Sequence, residues 1–179
     1  WFEKDSFLFD FSLIDRNENM VKILYPHSNW NESEFHKVFT DASSQLSLMD
    51  KPRIELKPGK YRTWFEPCAV ADFIDMFSWN GVSESSIRKG SSCFIKMRNE
   101  KKKLSPLFSL DESFTDLTTA PFNTRGEVSS IVSIIKNGVF ENALINSKTA
   151  NEYNLESNYA EDENSWGMGE YLRSPSIHG

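Results

Sequence analysis

The chain has 179 residues, a length that suits one domain with a substantial core, or one domain and part of another. It is 39% hydrophobic and 13% aromatic, which excludes an intrinsically disordered segment, and its net charge of -6 argues against a surface that binds nucleic-acid phosphates. Two cysteines make no disulfide framework, and the sequence has neither a leader peptide nor an apolar run of membrane-spanning length. We therefore expect a soluble, cytoplasmic protein.

A β-hairpin and a helix are the first predicted elements. Apolar and polar residues alternate over 7–13 and again over 21–25, and the segment between them is rich in turn-forming residues. Residues 6–25 are therefore predicted to pair as two strands. Asn31 is placed to cap the next helix, with Glu34 at the position of a capping-box carboxylate.

The stretch from Pro67 to Gly81 is predicted to form a helix with one buried face. Proline is tolerated in the first helical turn, where its missing N–H would have had no intrahelical partner. Asn80 and Gly81 supply residues that accept the left-handed conformation at the end of a helix. Four apolar residues recur at i, i+3, i+4 and i+7 and define the predicted buried face: Val70, Phe73, Ile74 and Phe77.

Strands are predicted on both sides of a basic run after this helix. They cover residues 91–97 and 104–110, and the basic run 98–103 joins them as a solvated hairpin tip rather than as a nucleic-acid contact. A further hairpin is predicted from 131 to 145. Its turn is Asn137-Gly138, a pair that favours the positive φ angles of a two-residue turn.

Candidate catalytic and metal-ligating side chains are scattered along the sequence. Cys68 lies in a first helical turn, where the pKa of a thiol can be lowered, but no histidine is near it in sequence, so a buried packing cysteine is favoured. His27 and His36 lack the spacing of helical metal ligands and are interpreted as surface or capping histidines. Asp72 and Asp75 either share a weakly held cation or form a solvated polar stripe, and the stripe is favoured.

Several short segments together resemble a known family. They are Pro58-Gly59-Lys60-Tyr61, the helix start Glu66-Pro67-Cys68-Ala69, the basic segment Arg88-Lys89-Gly90, the loop Pro121–Gly126, and Asn137-Gly138 followed by Asn146-Ser147-Lys148-Thr149-Ala150. With these segments in order, residues 45–160 resemble the TldD/PmbA family, whose members are also labelled modulators of DNA gyrase and whose catalytic members are zinc metallopeptidases.

The resemblance implies an α+β fold, with a mostly antiparallel β-sheet or barrel-like domain and a few packed helices. Residues 1–55 would end an N-terminal α/β region, and residues 56–179 would form part of a β-rich C-terminal domain. Asp111-Glu112-Ser113 are interpreted as loop residues. The family's glycine-rich segment near the active-site groove would fall at Gly167-Met168-Gly169. Because family members are longer, we expect the chain to be a piece of a longer protein.

The family's catalytic residues are replaced in this chain. Catalytic members carry His-Glu-x-x-x-His on the helix before a segment like Arg88-Lys89-Gly90, and an ungapped correspondence puts Asp75, Met76 and Asn80 at the first His, the Glu and the second His. Zinc peptidases need neutral imidazoles to bind the ion and a carboxylate to activate water. None of the three side chains meets these needs, so no catalytic residue, metal site or cofactor is assigned.

The resemblance therefore implies a TldE/PmbA-like, non-catalytic subunit. It would pair with a catalytic TldD-like homologue in a heterodimer and help to enclose a peptide substrate, without contacting nucleic acid or membrane, and a homodimer is left open. Asn123 and Arg125, which stand where the family has Asp and Glu, further weaken the case for cation chemistry. Two alternatives remain: a divergent stand-alone peptidase that uses Asp72 and Asp75 or the Cys68 thiol, and an interaction domain without enzymatic activity.

Overall fold

The structure is a computed structural model that describes residues 1–115, 119–129, 131–162 and 169–178. Its residues form two compact units, Trp1–Trp64 and Phe65–Gly179. The predicted division at residue 55 stays a prediction. Of the glycine-rich segment named above, Gly167 and Met168 lie outside the described residues. Within the described ranges, no helix is both long and apolar enough to span a bilayer.

The first unit is an antiparallel hairpin packed on one helix. The hairpin consists of β1 (Phe7–Ile14) and β2 (Met20–His27), and the helix α1 spans Glu32–Met49. The Asn31 side chain accepts a hydrogen bond from the Glu34 N–H at 3.2 Å and so caps α1. The predicted hairpin and the predicted helix start are both confirmed.

Strand alternation decides which side of this hairpin is buried. Val21 and Ile23 are 7% and 6% exposed and pack with Ala42 of α1. Trp30, just before the helix, packs on Phe35 in its first turn, with ring centroids 4.8 Å apart. This contact fixes the angle at which the chain enters α1.

Four helices and four strands make up the second unit over its described residues. In chain order they are α2 (Pro67–Ser78), α3 (Glu84–Lys89), α4 (Ile95–Glu100), β3 (Ser109–Glu112), β4 (Val132–Lys136), β5 (Val139–Phe140), α5 (Ser147–Tyr153) and β6 (Pro175–His178). The strands lie in the order β5-β4-β3-β6, and all neighbours are antiparallel. The α+β class is therefore confirmed, although the described strands form open sheets and no closed barrel.

One apolar core joins α2 to the sheet. It contains Ile74 of α2, Leu110 of β3, and Ile134 and Ile135 of β4, all 4% exposed or less. Burying such side chains is the main favourable term in folding, at roughly 25 cal/mol per Å² of apolar surface. Two motifs that are far apart in the sequence, the α2 helix and the Asn137-Gly138 hairpin, thus depend on the same core.

The buried face of α2 is narrower than predicted. Ile74 is buried, and Val70 and Phe77 are partly buried against the core, but Phe73 is 45% exposed. Since each helical residue turns by roughly 100°, Phe73 lies at the margin of the face that the other three share. Its ring instead meets Phe65 in an edge contact at 5.3 Å.

The strand predicted over residues 91–97 is wrong, and the strand predicted over 104–110 is confirmed only at its last two residues. Residues 95–100 form α4, because the Ser92 hydroxyl accepts the Phe94 N–H at 3.0 Å and turns the chain into a helix. Residues 104–108 wrap around the tip of the second hairpin, and regular pairing begins only at Ser109. The basic run therefore ends a helix instead of capping a hairpin.

The loop interpretation of Asp111 and Glu112 is also wrong. Both residues belong to β3, and the Glu112 side chain, at 4% exposed, faces the interior. The second predicted hairpin is confirmed at its turn, where Asn137 and Gly138 have φ angles of 49° and 75°. Its second strand is much shorter than predicted because the chain leaves the sheet after Phe140.

We expect Gly138→Ala to destabilise the protein strongly. The residue has a positive φ, and a Cβ atom there would lie 2.5 Å from the carbonyl oxygens of both Leu104 and Ser105. Conformational strain and overlap together should cost about 2–4 kcal/mol in urea unfolding.

Gly126→Ala is the matched control, because its φ is +79° but nothing lies within 4 Å of the added Cβ. It should cost only the strain, about 1–2 kcal/mol. Equal losses of unfolding free energy in the two variants would show that the overlap with the Leu104 and Ser105 carbonyls adds nothing to the cost of Gly138→Ala.

Candidate functional site

The candidate site is the end of α2 and the turn that follows it. The Trp79 N–H still donates to the Asp75 carbonyl at 3.2 Å, and Asn80 then adopts a φ of 64°. This confirms the predicted left-handed helix end. Gly81 is needed for another reason, since a Cβ atom there would lie 2.4 Å from the Phe77 carbonyl oxygen.

The three positions that the resemblance places at the family's zinc site do not form a set of zinc ligands. Asp75 is exposed, Met76 is 64% exposed, and the Asn80 side-chain oxygen accepts a hydrogen bond from the Ser86 hydroxyl at 3.1 Å. A thioether and an engaged amide neither bind Zn²⁺ well nor activate water, so these residues do not fit the ion. In the part of the chain that the structure describes, no three His, Cys, Asp or Glu side chains are grouped to hold a metal.

The other candidates from the sequence lie apart from this turn. Cys68 is exposed, so its interpretation as a buried packing cysteine is wrong; only one face of α2 reaches the core. His27 Nε2 lies 3.6 Å from Glu34 Oε1, and His36 Nε2 lies 3.7 Å from Glu32 Oε1. The two histidines are therefore surface residues of the first unit, as predicted.

A fully buried carboxylate, Glu170, lies beside the turn. One of its oxygens accepts hydrogen bonds from the hydroxyls of Ser83 and Ser85, and the other accepts the Asn146 N–H at 3.3 Å. Ser83 also caps α3, because its hydroxyl oxygen accepts the Ser86 N–H at 3.2 Å. This cluster was not predicted from the sequence. Ser83 carries the signal of an N-cap, but Glu170 is 87 residues away.

Glu84 is a second buried carboxylate, and two arginines neutralise it. It is 1% exposed, and its two oxygens lie 2.7 Å from Arg88 Nε and 2.6 Å from Arg98 Nη1. Arg98 and Glu84 also line a cleft of about 380 Å³, together with Asn142 and Asn158. The spacing of Glu84 and Arg88 by four residues is visible in the sequence, whereas the contribution of Arg98 depends on α4, which was not predicted.

Polar contacts within the chain hold the loop around Asn123. The Asn123 side-chain oxygen accepts the N–H groups of Arg125 and Glu127, each at 3.0 Å. Arg125 forms an ion pair with Asp162 at 2.7 Å. The side chains of Asn123 and Ser147 donate hydrogen bonds to Glu127 and lower its pKa, and the bond from Asn123 has the larger effect. Asn123 and Arg125, which the resemblance places at carboxylate positions of the family, therefore both take part in holding this loop.

Glu112 connects β3 to the segment before β6. Burial raises the pKa of Glu112, although the backbone N–H groups of Arg173 and Ser174 donate to it at 3.0 and 3.2 Å and oppose that shift. The Arg173 guanidinium donates to the carbonyls of Ala120 and Phe122 at 2.8 and 3.0 Å. The contacts of this carboxylate therefore join β3 to the segment before β6.

Comparison with known proteins gives one family and a set of related folds. The family model described as PmbA/TldA metallopeptidase C-terminal domain matches residues 58–175, about two thirds of the chain. No curated protein sequence matches the chain.

Three solved structures share the fold at low sequence identity. A protein named as a modulator of a DNA gyrase from Thermotoga maritima superposes with a TM-score of 0.64 at 20% identity, over 89% of this chain and 37% of that one. TldE from Thermococcus kodakarensis gives 0.62 at 14% identity, over 90% and 37%. A protein named as a modulator of DNA gyrase from Bacteroides thetaiotaomicron gives 0.64 at 16% identity, over 97% and 38%. The chain thus spans little more than a third of these relatives.

Glu84→Gln should destabilise the chain by about 1–3 kcal/mol, measured by urea unfolding, because it removes the buried charge that binds two arginines. The arginines are 39% and 37% exposed and can hydrate, which limits the loss. Asp10→Asn is the control, since its ion pair with Lys22 is exposed and should contribute less than about 1 kcal/mol. If Glu84→Gln lowers the free energy of unfolding no more than the control does, the ion pairs of Glu84 with the two arginines do not stabilise the fold.

Glu112→Gln should change how stability depends on pH. A raised pKa means that the folded chain binds the proton more tightly than the unfolded chain, in which Glu titrates near its ordinary value of 4.5. The stabilisation that Glu112 contributes to the folded chain is therefore fully present below that pH. It is lost as the pH rises through the folded-state pKa. The variant should accordingly gain stability relative to the wild type as the pH rises above 4.5, as measured by urea unfolding.

Glu127→Gln is the opposite case, because the pKa of Glu127 is lowered. The stabilisation that Glu127 contributes is present above its ordinary pKa and is lost as the pH falls through the folded-state pKa.

If the stability difference between Glu112→Gln and the wild type does not vary with pH, the assignment of the raised pKa to Glu112 is wrong.

Proposed function

Since this chain belongs to the family of PmbA/TldA metallopeptidase C-terminal domains, we propose that it acts as a TldE/PmbA-like subunit with no zinc site of its own. It pairs with a catalytic TldD-like homologue in a heterodimer that matures or degrades peptides in the cytoplasm. The proposal concerns a whole parent protein, since the chain covers only 37% to 38% of the solved relatives.

The observation that carries this proposal is the chemistry at the end of α2. By the resemblance, Asp75, Met76 and Asn80 correspond to the first zinc-binding histidine, the glutamate and the second histidine of catalytic members. Asn80 is engaged with Ser86, and Met76 offers only a thioether. The helix, its left-handed end and the core beneath it are present, so the scaffold supports an arrangement in which the partner supplies the metal chemistry.

The sheet supports the proposed contribution to peptide binding. β5 and β6 are its outer strands, and an outer strand presents main-chain groups to which an extended peptide can add. β6 has four residues and β5 only two, so β6 is the better candidate for this role. With a net charge of -6 on the chain, the proposal includes no nucleic acid, and it includes no membrane.

One observation favours a second function, a divergent stand-alone peptidase. Cys68 is exposed at the first turn of α2, so its thiol is accessible to a substrate. Asp72 and Asp75, also exposed, are the alternative positions for a weakly held cation. An interaction domain without a peptidase partner is the third possibility, and the experiment below separates the three.

We expect the purified full-length protein to contain no stoichiometric zinc and to lack peptidase activity alone, and to co-purify with a His-Glu-x-x-x-His homologue when the two are co-expressed. Metal analysis, a peptidase assay and affinity co-purification are the measurements. Asp75→Ala and Cys68→Ser should leave all three results unchanged, as should the control Asp10→Ala.

Stoichiometric zinc that is lost in Asp75→Ala would show a metal-dependent enzyme, and activity lost in Cys68→Ser would show a thiol enzyme. Failure to pair with any such homologue would favour the interaction domain.

A further inference from the structure

The outward side of α2 exposes a group of large apolar side chains. Phe73, Met76 and Trp79 are 45%, 64% and 61% exposed, and Phe65, at 50%, extends the group through its ring contact with Phe73. These four residues are called here the α2 apolar face. Isolated exposed apolar residues are ordinary, but a contiguous group points to a binding surface.

Helical geometry places part of this group on one surface. Met76 lies three residues before Trp79 and four after Asp72, and such neighbours stand side by side on a helix. The Trp79 N–H is bonded to the Met76 carbonyl, so Trp79 still belongs to the last turn. Ile74, which is 4% exposed, points into the core on the opposite side.

Two carboxylates accompany the α2 apolar face. Asp72 and Asp75 are exposed, and neither forms an ion pair with a Lys, Arg or His among the described residues. The surface is therefore apolar and negatively charged at the same time. A ligand that complements it has a large apolar side chain and a positive charge close together.

We propose that the α2 apolar face binds a peptide segment in which an aromatic or aliphatic side chain lies next to lysine or arginine. The inference rests on the proposed function and names the class of substrate that this subunit helps to enclose. Met76 and Trp79 bury the apolar side chain, and Asp72 and Asp75 pair with its basic neighbour. The surface that meets the peptide contains two of the positions that carry the zinc site in catalytic members, Asp75 and Met76.

A second copy of the chain is a poorer occupant of this face. In a two-fold contact the same patch meets itself, so Asp72 and Asp75 of both copies would be brought together. Like charges in such a contact oppose association. The charge pattern therefore favours a basic peptide.

The test uses three fluorescein-labelled peptides and fluorescence anisotropy with the full chain. The probe is Gly-Leu-Lys-Phe-Lys-Gly, and its controls replace both lysines by glutamate or both apolar residues by serine. The probe should bind at least about tenfold more tightly than either control. Met76→Gln should weaken its binding by about tenfold, and the double variant Asp72→Asn/Asp75→Asn should weaken it and reduce its salt dependence.

Met20→Gln is the matched control, because Met20 is 55% exposed on β2 of the other unit, and it should not change binding. Equal binding of the three peptides, or an unchanged affinity in Met76→Gln, would overturn the proposal. A dimer that Met76→Gln converts to a monomer in sedimentation would also overturn it, since a second copy would then cover the face.

No catalytic partner is present in this assay. A failure to pair with the homologue, with peptide binding intact, would therefore contradict only the proposed function. Normal pairing without peptide binding would contradict only the inference.

Discussion

The turn that leaves α2 is the constraint on which the second unit depends. Gly81 approaches the Phe77 carbonyl so closely that no Cβ atom fits, and the Val82 N–H donates to that same carbonyl at 3.2 Å. Val82 then enters the core with 0% exposure, and its carbonyl accepts the Leu144 N–H at 2.8 Å. The end of the helix and the segment after the second hairpin are therefore held in one place. Ser83, the next residue, caps α3 and binds Glu170.

Glu84, Glu112 and Glu170 are buried carboxylates of the second unit, and each is bound by hydrogen-bond donors or by arginines. Glu84 is bound by Arg88 and Arg98, Glu170 by hydroxyls and a backbone N–H, and Glu112 by two backbone N–H groups. A buried charge is costly unless such partners satisfy it, and a satisfied network makes the local conformation specific. The partners described for these acidic side chains are groups of the chain itself, so these side chains lie apart from the exposed groups on the outward side of α2.

Family membership and function are separate conclusions for this chain. A shared fold fixes the course of the backbone, while the side chains on the outward side of a helix are free to differ. In this chain the outward side includes Asp75, Met76 and Trp79, which do not form a metal-binding set. The helix thus presents an apolar and acidic outward surface, and this surface is the basis of both proposals.

Features set by neighbouring residues followed from the sequence alone: the Asn31 cap of α1, the Asn137-Gly138 turn, the limits of α2 and the family to which the chain belongs. The cap, the turn and the helix limits depend on backbone preferences or side-chain bonds within a few residues, and the family followed from short motifs in the right order. The exposure of Phe73 and the partners of Glu84 and Glu170 were decided only by tertiary structure. Periodicity shows that a helix has an apolar side, but the packed neighbours determine how wide the buried face is. A carboxylate likewise finds donors 14 or 87 residues away only when the folded chain brings them together.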